Sequence, residues 1–197
     1  MKTSAFVSLT LALIAALGCG GPRPYRAMAK AASSEENVFS QVEDHRLAMR
    51  VREAILTDDP RRVVAVTPHA YMGHVYLVGF VNDTDEAARL ESLVRPLAGV
   101  RTVDAYLPVR PASQSTVSDE GLKAKVKSAL ALEPGEVVTR IEIEALAGHV
   151  VLLGVVSSAE AVESAGARVR EVGGVNGVTN FLLVPEGEYE SLRPHLR

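Results

Sequence analysis

Two histidines occupy matching places in the chain and are the residues that first suggest chemistry. His74 and His149 each follow a glycine at the start of an apolar run. A catalytic base or a metal site would need acids or further ligands beside them, and the turns around them carry no Asp, Glu or Cys. The other histidines, His45, His69 and His195, have no partner at ligand spacing. We therefore expect no catalytic residues, no metal and no cofactor, and predict that the protein is not an enzyme.

The composition excludes several classes of protein. The 197 residues have a formal net charge of −3, 5% aromatic residues and no Trp, so we expect no nucleic-acid binding and no aromatic stacking platform. A single Cys excludes an internal disulfide and a multi-thiolate metal site. The acidic segments at 58–59 and 83–86 could suggest a calcium-binding loop, but they lack its sixth-position glycine and its terminal Glu. They fit loop and helix N-cap positions instead.

Residues 1–18 have the pattern of a signal peptide. Lys2 precedes an apolar run of about 13 residues, which is too short to cross a bilayer as a helix. Cys19 directly follows Ala-Leu-Gly, and this junction resembles a bacterial lipobox. The resemblance implies that Cys19 carries a lipid anchor, and Gly20 in place of Asp implies the outer membrane, with the protein facing the periplasm. Two alternatives stay open: ordinary secretion with cleavage near Gly18, which leaves a soluble periplasmic protein, and a transmembrane anchor.

The rest of the chain is an internal repeat. Shifted by 75 residues, Asp44–Val109 aligns without a gap onto Asp119–Val184, and a fixed period of this kind indicates two copies of one structural unit. Residues 19–43 are predicted to be a lipidated, flexible tether, although a capping box at 33–36 allows an earlier start of the first helix. Residues 110–118 are predicted to be a polar linker between two independently compact units, and residues 185–197 a charged tail.

Each unit is predicted to have the element order αββαβ. Apolar residues at helical spacing predict helices over 44–56 and 84–98, and over 119–132 and 158–172 in the second copy. Val-rich runs around a glycine predict hairpins with strands at 62–67 and 75–81, and at 137–143 and 150–156. A last strand follows at 102–109 and 177–184. The predicted fold class is α+β: two tandem small domains, each a three-stranded mixed sheet packed against two helices.

The motif Gly-x-Val-x-Leu-x-Gly-x-Val, followed by a helix and Gly-Val, resembles the BON domain of bacterial envelopes. The residues that carry the motif are Gly73, Val75, Leu77, Gly79, Val81, Gly99 and Val100, and again Gly148, Val150, Leu152, Gly154, Val156, Gly174 and Val175. Together with the lipobox, the whole chain is similar to dual BON-domain lipoproteins of Gram-negative outer membranes. The resemblance implies phospholipid binding and support of outer-membrane integrity, without catalysis.

A lysine cluster on the first helix of the second unit is the candidate lipid-binding surface. Lys123 and Lys127 flank the apolar stripe of that helix, and such lysines can lay their stems on apolar surface and offer the ammonium to anionic head groups. The resemblance associates this helix with lipid contact. The candidate residues are Leu122, Lys123, Val126, Lys127 and Leu130. A solvated helix face is the open alternative.

We predict a non-catalytic envelope lipoprotein that binds anionic membrane phospholipid. The alternative is a periplasmic scaffold in which the two units dock on an envelope protein partner through exposed sheet edges.

Overall fold

The computed structural model describes residues 23–61, 65–110, 118–131 and 141–184, with side chains from residue 41 onward. The predicted signal peptide, Cys19, most of the predicted linker and the predicted tail lie outside these residues. The chain forms two compact units, Met1–Ser40 and Gln41–Arg197, and both sequence repeats lie in the second. Whether each repeat is compact independently of the other stays a prediction.

The first helix, α1, spans Arg23–Asp58 and begins about twenty residues before the helix that the apolar spacing predicts. Residues 23–43 are therefore helical where a flexible tether was predicted. Two properties of the sequence favour this longer helix. Proline is tolerated in a first turn, where its missing N–H costs nothing, and Pro24 lies there. Alanine, the strongest helix former, is frequent at 27–32.

Each repeat folds in the predicted order. In the first, α1 is followed by β1 (Val66–Tyr71), β2 (His74–Gly79), α2 (Thr84–Val94) and β3 (Thr102–Tyr106). In the second, α3 (Asp119–Ala131) is followed by β4 (Ile141–Leu146), β5 (His149–Val155), α4 (Ala159–Arg170) and β6 (Gly177–Leu183). In both sheets the middle strand pairs antiparallel with the strand before it and parallel with the strand after the helix. The predicted mixed, three-stranded α+β units are confirmed.

The first strand of each hairpin lies about four residues later than predicted. The turns explain the shift. Met72 and Gly73 both have positive φ, as do Ala147 and Gly148, and two such residues form the tight turn that right-twisted strands favour. The turn pairs Tyr71 with His74, so β1 must run up to Tyr71. Pro68 is tolerated within β1 because this is an edge strand.

The middle strand of each sheet is buried on both faces. On β2, Val75 and Leu77 pack against the helices of the first repeat, and Val150 and Leu152 do the same on β5. The alternate residues of the middle strands point the other way and form a third core between the two sheets. We call this third core the domain seam; its buried residues are Tyr76, Val78, Val151 and Leu153, and Tyr71, Tyr106, Leu146, Phe181 and Leu183 pack around them.

Candidate functional site

The predicted anchor at Cys19 lies outside the described residues and stays a prediction. Within the described part of the chain, no helix has the length and apolar character needed to cross a bilayer.

The predicted lipid-binding helix, α3, begins at a serine cap. Ser118 Oγ accepts the N–H of Gly121 at 3.1 Å, so Ser118 is the N-cap of this helix. Asp119 and Glu120 lie in the first turn, where carboxylates interact favourably with the helix dipole.

The three apolar members of the candidate set face inward. Leu122, Val126 and Leu130 are between 0% and 1% exposed, in the core between α3 and its sheet. Helical spacing brings them onto one face, and the sheet rather than a membrane covers that face.

Lys123 is tied to the sheet. Its Nζ lies 2.7 Å from Glu144 Oε2 on β4 and 3.5 Å from Glu120 Oε1. Burial alone would lower the pKa of Lys123, but the hydrogen bond to Glu144 and the charges of both glutamates outweigh burial and raise that pKa. The ammonium is therefore engaged within the second domain.

Lys125 and Lys127 remain exposed on α3. At about 100° per residue, they lie on opposite flanks of the outward face, whose centre is made of small residues. The small residues are Gly121, Ala124 and Ser128, all exposed. A flat surface can therefore approach this face closely, with one lysine on either side of the contact. We call this surface the lysine face.

The paired histidines begin the middle strands. His74 Nδ1 lies 2.8 Å from Thr102 Oγ1, and His149 Nε2 lies 2.9 Å from Thr179 Oγ1. Tyr106 stacks on His149 with ring centroids 4.1 Å apart, so this histidine also contacts the other repeat. Burial lowers the pKa of His149. Each histidine is therefore the first residue of a middle strand and contacts a threonine of the neighbouring strand.

The acidic residues near 83–86 also have a structural role. Asp83 is the N-cap of α2, and its Oδ1 accepts the Glu86 N–H at 2.7 Å. Glu86 Oε2 in turn accepts the N–H of Asn82, the residue before the N-cap, at 2.7 Å. The prediction of N-cap acids in this loop is confirmed.

One cluster was missed by the sequence analysis. His69 on β1 lies beside Glu142 and Glu144 on β4, and ligand-type atoms of the three residues all lie within 4.8 Å of one another. The residues are far apart in sequence and meet only because the sheets pack face to face. One feature of the sequence relates the pair: His69 and Glu144 occupy the same position of the repeat, on the first strand of each hairpin.

A second surface was also missed. Val42, Met49 and Leu56 on α1 are 43%, 53% and 46% exposed, and their seven-residue spacing lines them up on the helix face opposite the core. Arg46 and Arg52 are exposed on the same helix.

The family model of the BON domain matches residues 43–111 and 118–186. The chain belongs to the BON-domain family. Proteins with BON domains are in general envelope-associated, non-catalytic and associated with phospholipid binding. The two matched segments correspond to the two repeats, so the duplication and the family prediction are confirmed together.

Two solved structures of a structural protein of the type III secretion system of Chlamydia trachomatis, CdsD, are similar in part. One, of its C-terminal domain, has 16% identity, covers 68% of this chain and 96% of that chain, and has a TM-score of 0.27. The other has 17% identity, covers 75% of this chain and 97% of that chain, and also has a TM-score of 0.27. These TM-scores are too low to bear on the function of this chain.

Proposed function

We propose that this BON-domain protein is a lipoprotein of the bacterial outer membrane that binds anionic phospholipid through α3 and thereby supports the integrity of the envelope. The observation that carries the proposal is the lysine face, with Lys125 and Lys127 exposed on either side of a flat strip of small residues. The predicted candidate set then divides by role. Lys127 reaches the head groups, Lys123 braces α3 against β4, and Leu122, Val126 and Leu130 fix the helix to its sheet.

The binding is electrostatic in this account. Each lysine near an anionic surface contributes about 1 kcal/mol, and exposed charges are screened over about 8 Å at physiological ionic strength. Two lysines alone give weak affinity. A lipid anchor on Cys19 would make weak affinity sufficient, because it holds the lysine face at a high effective concentration near the membrane.

Vesicle co-sedimentation of residues 20–197 tests the proposal without the anchor. We expect more protein to sediment with vesicles that contain phosphatidylglycerol than with pure phosphatidylcholine vesicles, and the difference to shrink in high salt. Equal sedimentation with both vesicle types at low salt would contradict lipid binding.

The alternative is a protein-interaction scaffold, and the exposed apolar stripe on α1 favours it. Val42, Met49 and Leu56 form a surface that an apolar partner helix fits. A scaffold of this kind would ignore lipid composition and would bind its envelope partner less well after Met49→Lys. Under the lipid proposal, Met49→Lys leaves the preference for phosphatidylglycerol in place.

A further inference from the structure

A buried ring nitrogen beside the domain seam lacks a hydrogen-bond partner. The side chain of His69 is 6% exposed, and its Nε2 has no hydrogen-bond partner among the residues that the structure describes. A buried polar atom without a hydrogen-bond partner destabilises the folded state. A ligand bound at this nitrogen would remove that cost.

Glu142 determines which ring nitrogen holds the proton. Its Oε2 lies 3.2 Å from His69 Nδ1 and accepts the Tyr71 hydroxyl at 2.8 Å. A carboxylate oxygen can only accept hydrogen bonds, so Glu142 accepts from both side chains. The proton must lie on Nδ1, and in the neutral ring Nε2 presents a bare lone pair.

That lone pair faces a second carboxylate. Glu144 Oε1 lies 3.8 Å from His69 Nε2, while Lys123 holds the other oxygen of Glu144 at 2.7 Å. A lone pair and a carboxylate oxygen repel each other unless a cation lies between them. Two bonds of about 2.0–2.2 Å, the lengths typical of zinc with nitrogen and oxygen ligands, can span such a separation.

We propose that His69 Nε2 and Glu144 Oε1 bind a divalent transition-metal ion of the zinc type, with Glu142 as the carboxylate that orients the imidazole. A carboxylate that accepts the second N–H of a metal-binding histidine is the usual support for such a ligand. Lys123 neutralises one of the two glutamates, so the site keeps a net negative charge. An open cavity of about 360 Å³ reaches His69 and Glu142, and water would complete the coordination.

The ion would link the two BON domains. His69 lies on β1 of the first domain and Glu144 on β4 of the second, so both ligands are in place only when the sheets are packed together. Metal binding and domain pairing should therefore stabilise each other.

Isothermal titration with zinc chloride tests the site on the full chain in detergent micelles. The protein carries no polyhistidine tag, and Cys19→Ser removes the thiol. We expect one zinc ion per chain. Affinity should fall at least 100-fold in His69→Asn and at least tenfold in Glu144→Gln. Glu142→Gln should weaken binding by 10- to 100-fold, the range typical of a lost supporting carboxylate.

His149→Asn is the matched control. It removes a ring that stacks on Tyr106 across the same pair of sheets but that lies outside the cluster, so zinc affinity should stay within about twofold of the parent. Cobalt gives a readout that does not depend on stability: the parent and His149→Asn should show the visible absorption of four-coordinate Co²⁺, and His69→Asn should not. The proposal is overturned if the parent binds no zinc, if His69→Asn binds like the parent, or if His149→Asn loses as much affinity as His69→Asn.

Discussion

Glu142 makes the contact between the two repeats sensitive to acid. The hydrogen bond from His69 is the main cause of its lowered pKa, and the Tyr71 hydroxyl adds to it. Burial and the negative charge of Glu142 also raise the pKa of Tyr71. A single carboxylate on β4 thus holds two side chains of β1.

The pKa of Glu142 predicts how stability depends on pH. A carboxyl group whose pKa is lower in the folded state contributes stability above its ordinary pKa, here 4.5, and this contribution is lost as pH falls toward about 2. We expect Glu142→Gln to show a smaller decrease in melting temperature between pH 4.5 and pH 2 than the parent, with chelator present in both samples. An equal decrease in melting temperature in the parent and in Glu142→Gln over this pH interval would show that the contact contributes nothing to stability.

The prediction of membrane attachment depends on one residue, Cys19. The chain has a single Cys, and it directly follows the apolar segment of the predicted signal peptide. We expect Cys19→Ser to abolish incorporation of labelled palmitate into the protein in cells. Palmitate incorporation that persists in this variant would exclude Cys19 as the lipidated residue.

At the scale of elements, Gly79 lets β1 and β2 approach each other. A Cβ atom built on Gly79 would lie 2.1 Å from the backbone oxygen of Ala65, which cannot move aside as a side chain can. The glycine at this point of the motif is therefore required by the backbone that faces it.

Alanine substitution at two glycines tests this requirement. We expect Gly79→Ala to lower the free energy of unfolding by about 1–3 kcal/mol, the range for an overpacked site. Gly173→Ala is the matched control, because a Cβ at Gly173 meets nothing within 4 Å, and it should change stability by less than about 0.5 kcal/mol. Denaturant unfolding measures both variants, and equal stability of the two would show that β1 does not approach β2 at this point.

The sequence predicts the helices better than the hairpins, for a physical reason. Apolar spacing marks α2 and α4 clearly, because a helix beside a sheet buries one stripe. The register of β1 depends instead on a turn in which Met72 has positive φ, and a methionine gives no local signal of that conformation. Pro68 also suggests a strand end, although an edge strand tolerates it.

At the scale of the whole molecule, the domain seam joins the two repeats. Phe181 of the second repeat stacks on Tyr76 of the first with centroids 4.9 Å apart. The apolar runs of β2 and β5 are continuous, as is typical of strands buried on both faces, but from the sequence alone they predict only hairpins. The sequence does not indicate that the two sheets pack against each other, because an apolar run does not identify the surface that it packs against.

The seam predicts that the two domains unfold together. Leu77 is fully buried in the first domain and faces its helices rather than the seam. We expect Leu77→Ala to lower the free energy of unfolding by about 2–5 kcal/mol and to shift one common transition in calorimetry. Two transitions, with only one of them shifted, would show that the domains unfold independently.

The proposed function rests on the lysine face, and charge reversal there tests it most directly. The variant combines Lys125→Glu with Lys127→Glu and leaves Lys123 in place, because Lys123 pairs with Glu144. Arg95→Glu with Arg170→Glu is the control, since both arginines are exposed on other parts of the fold and the net charge changes equally.

The measurement is partitioning of residues 20–197 onto phosphatidylglycerol vesicles at low and high salt. We expect the lysine variant to bind more than tenfold more weakly than the parent at low salt, the control to change much less, and the differences to shrink in high salt. Partitioning of the lysine variant equal to that of the parent at low salt would contradict the account and favour the scaffold.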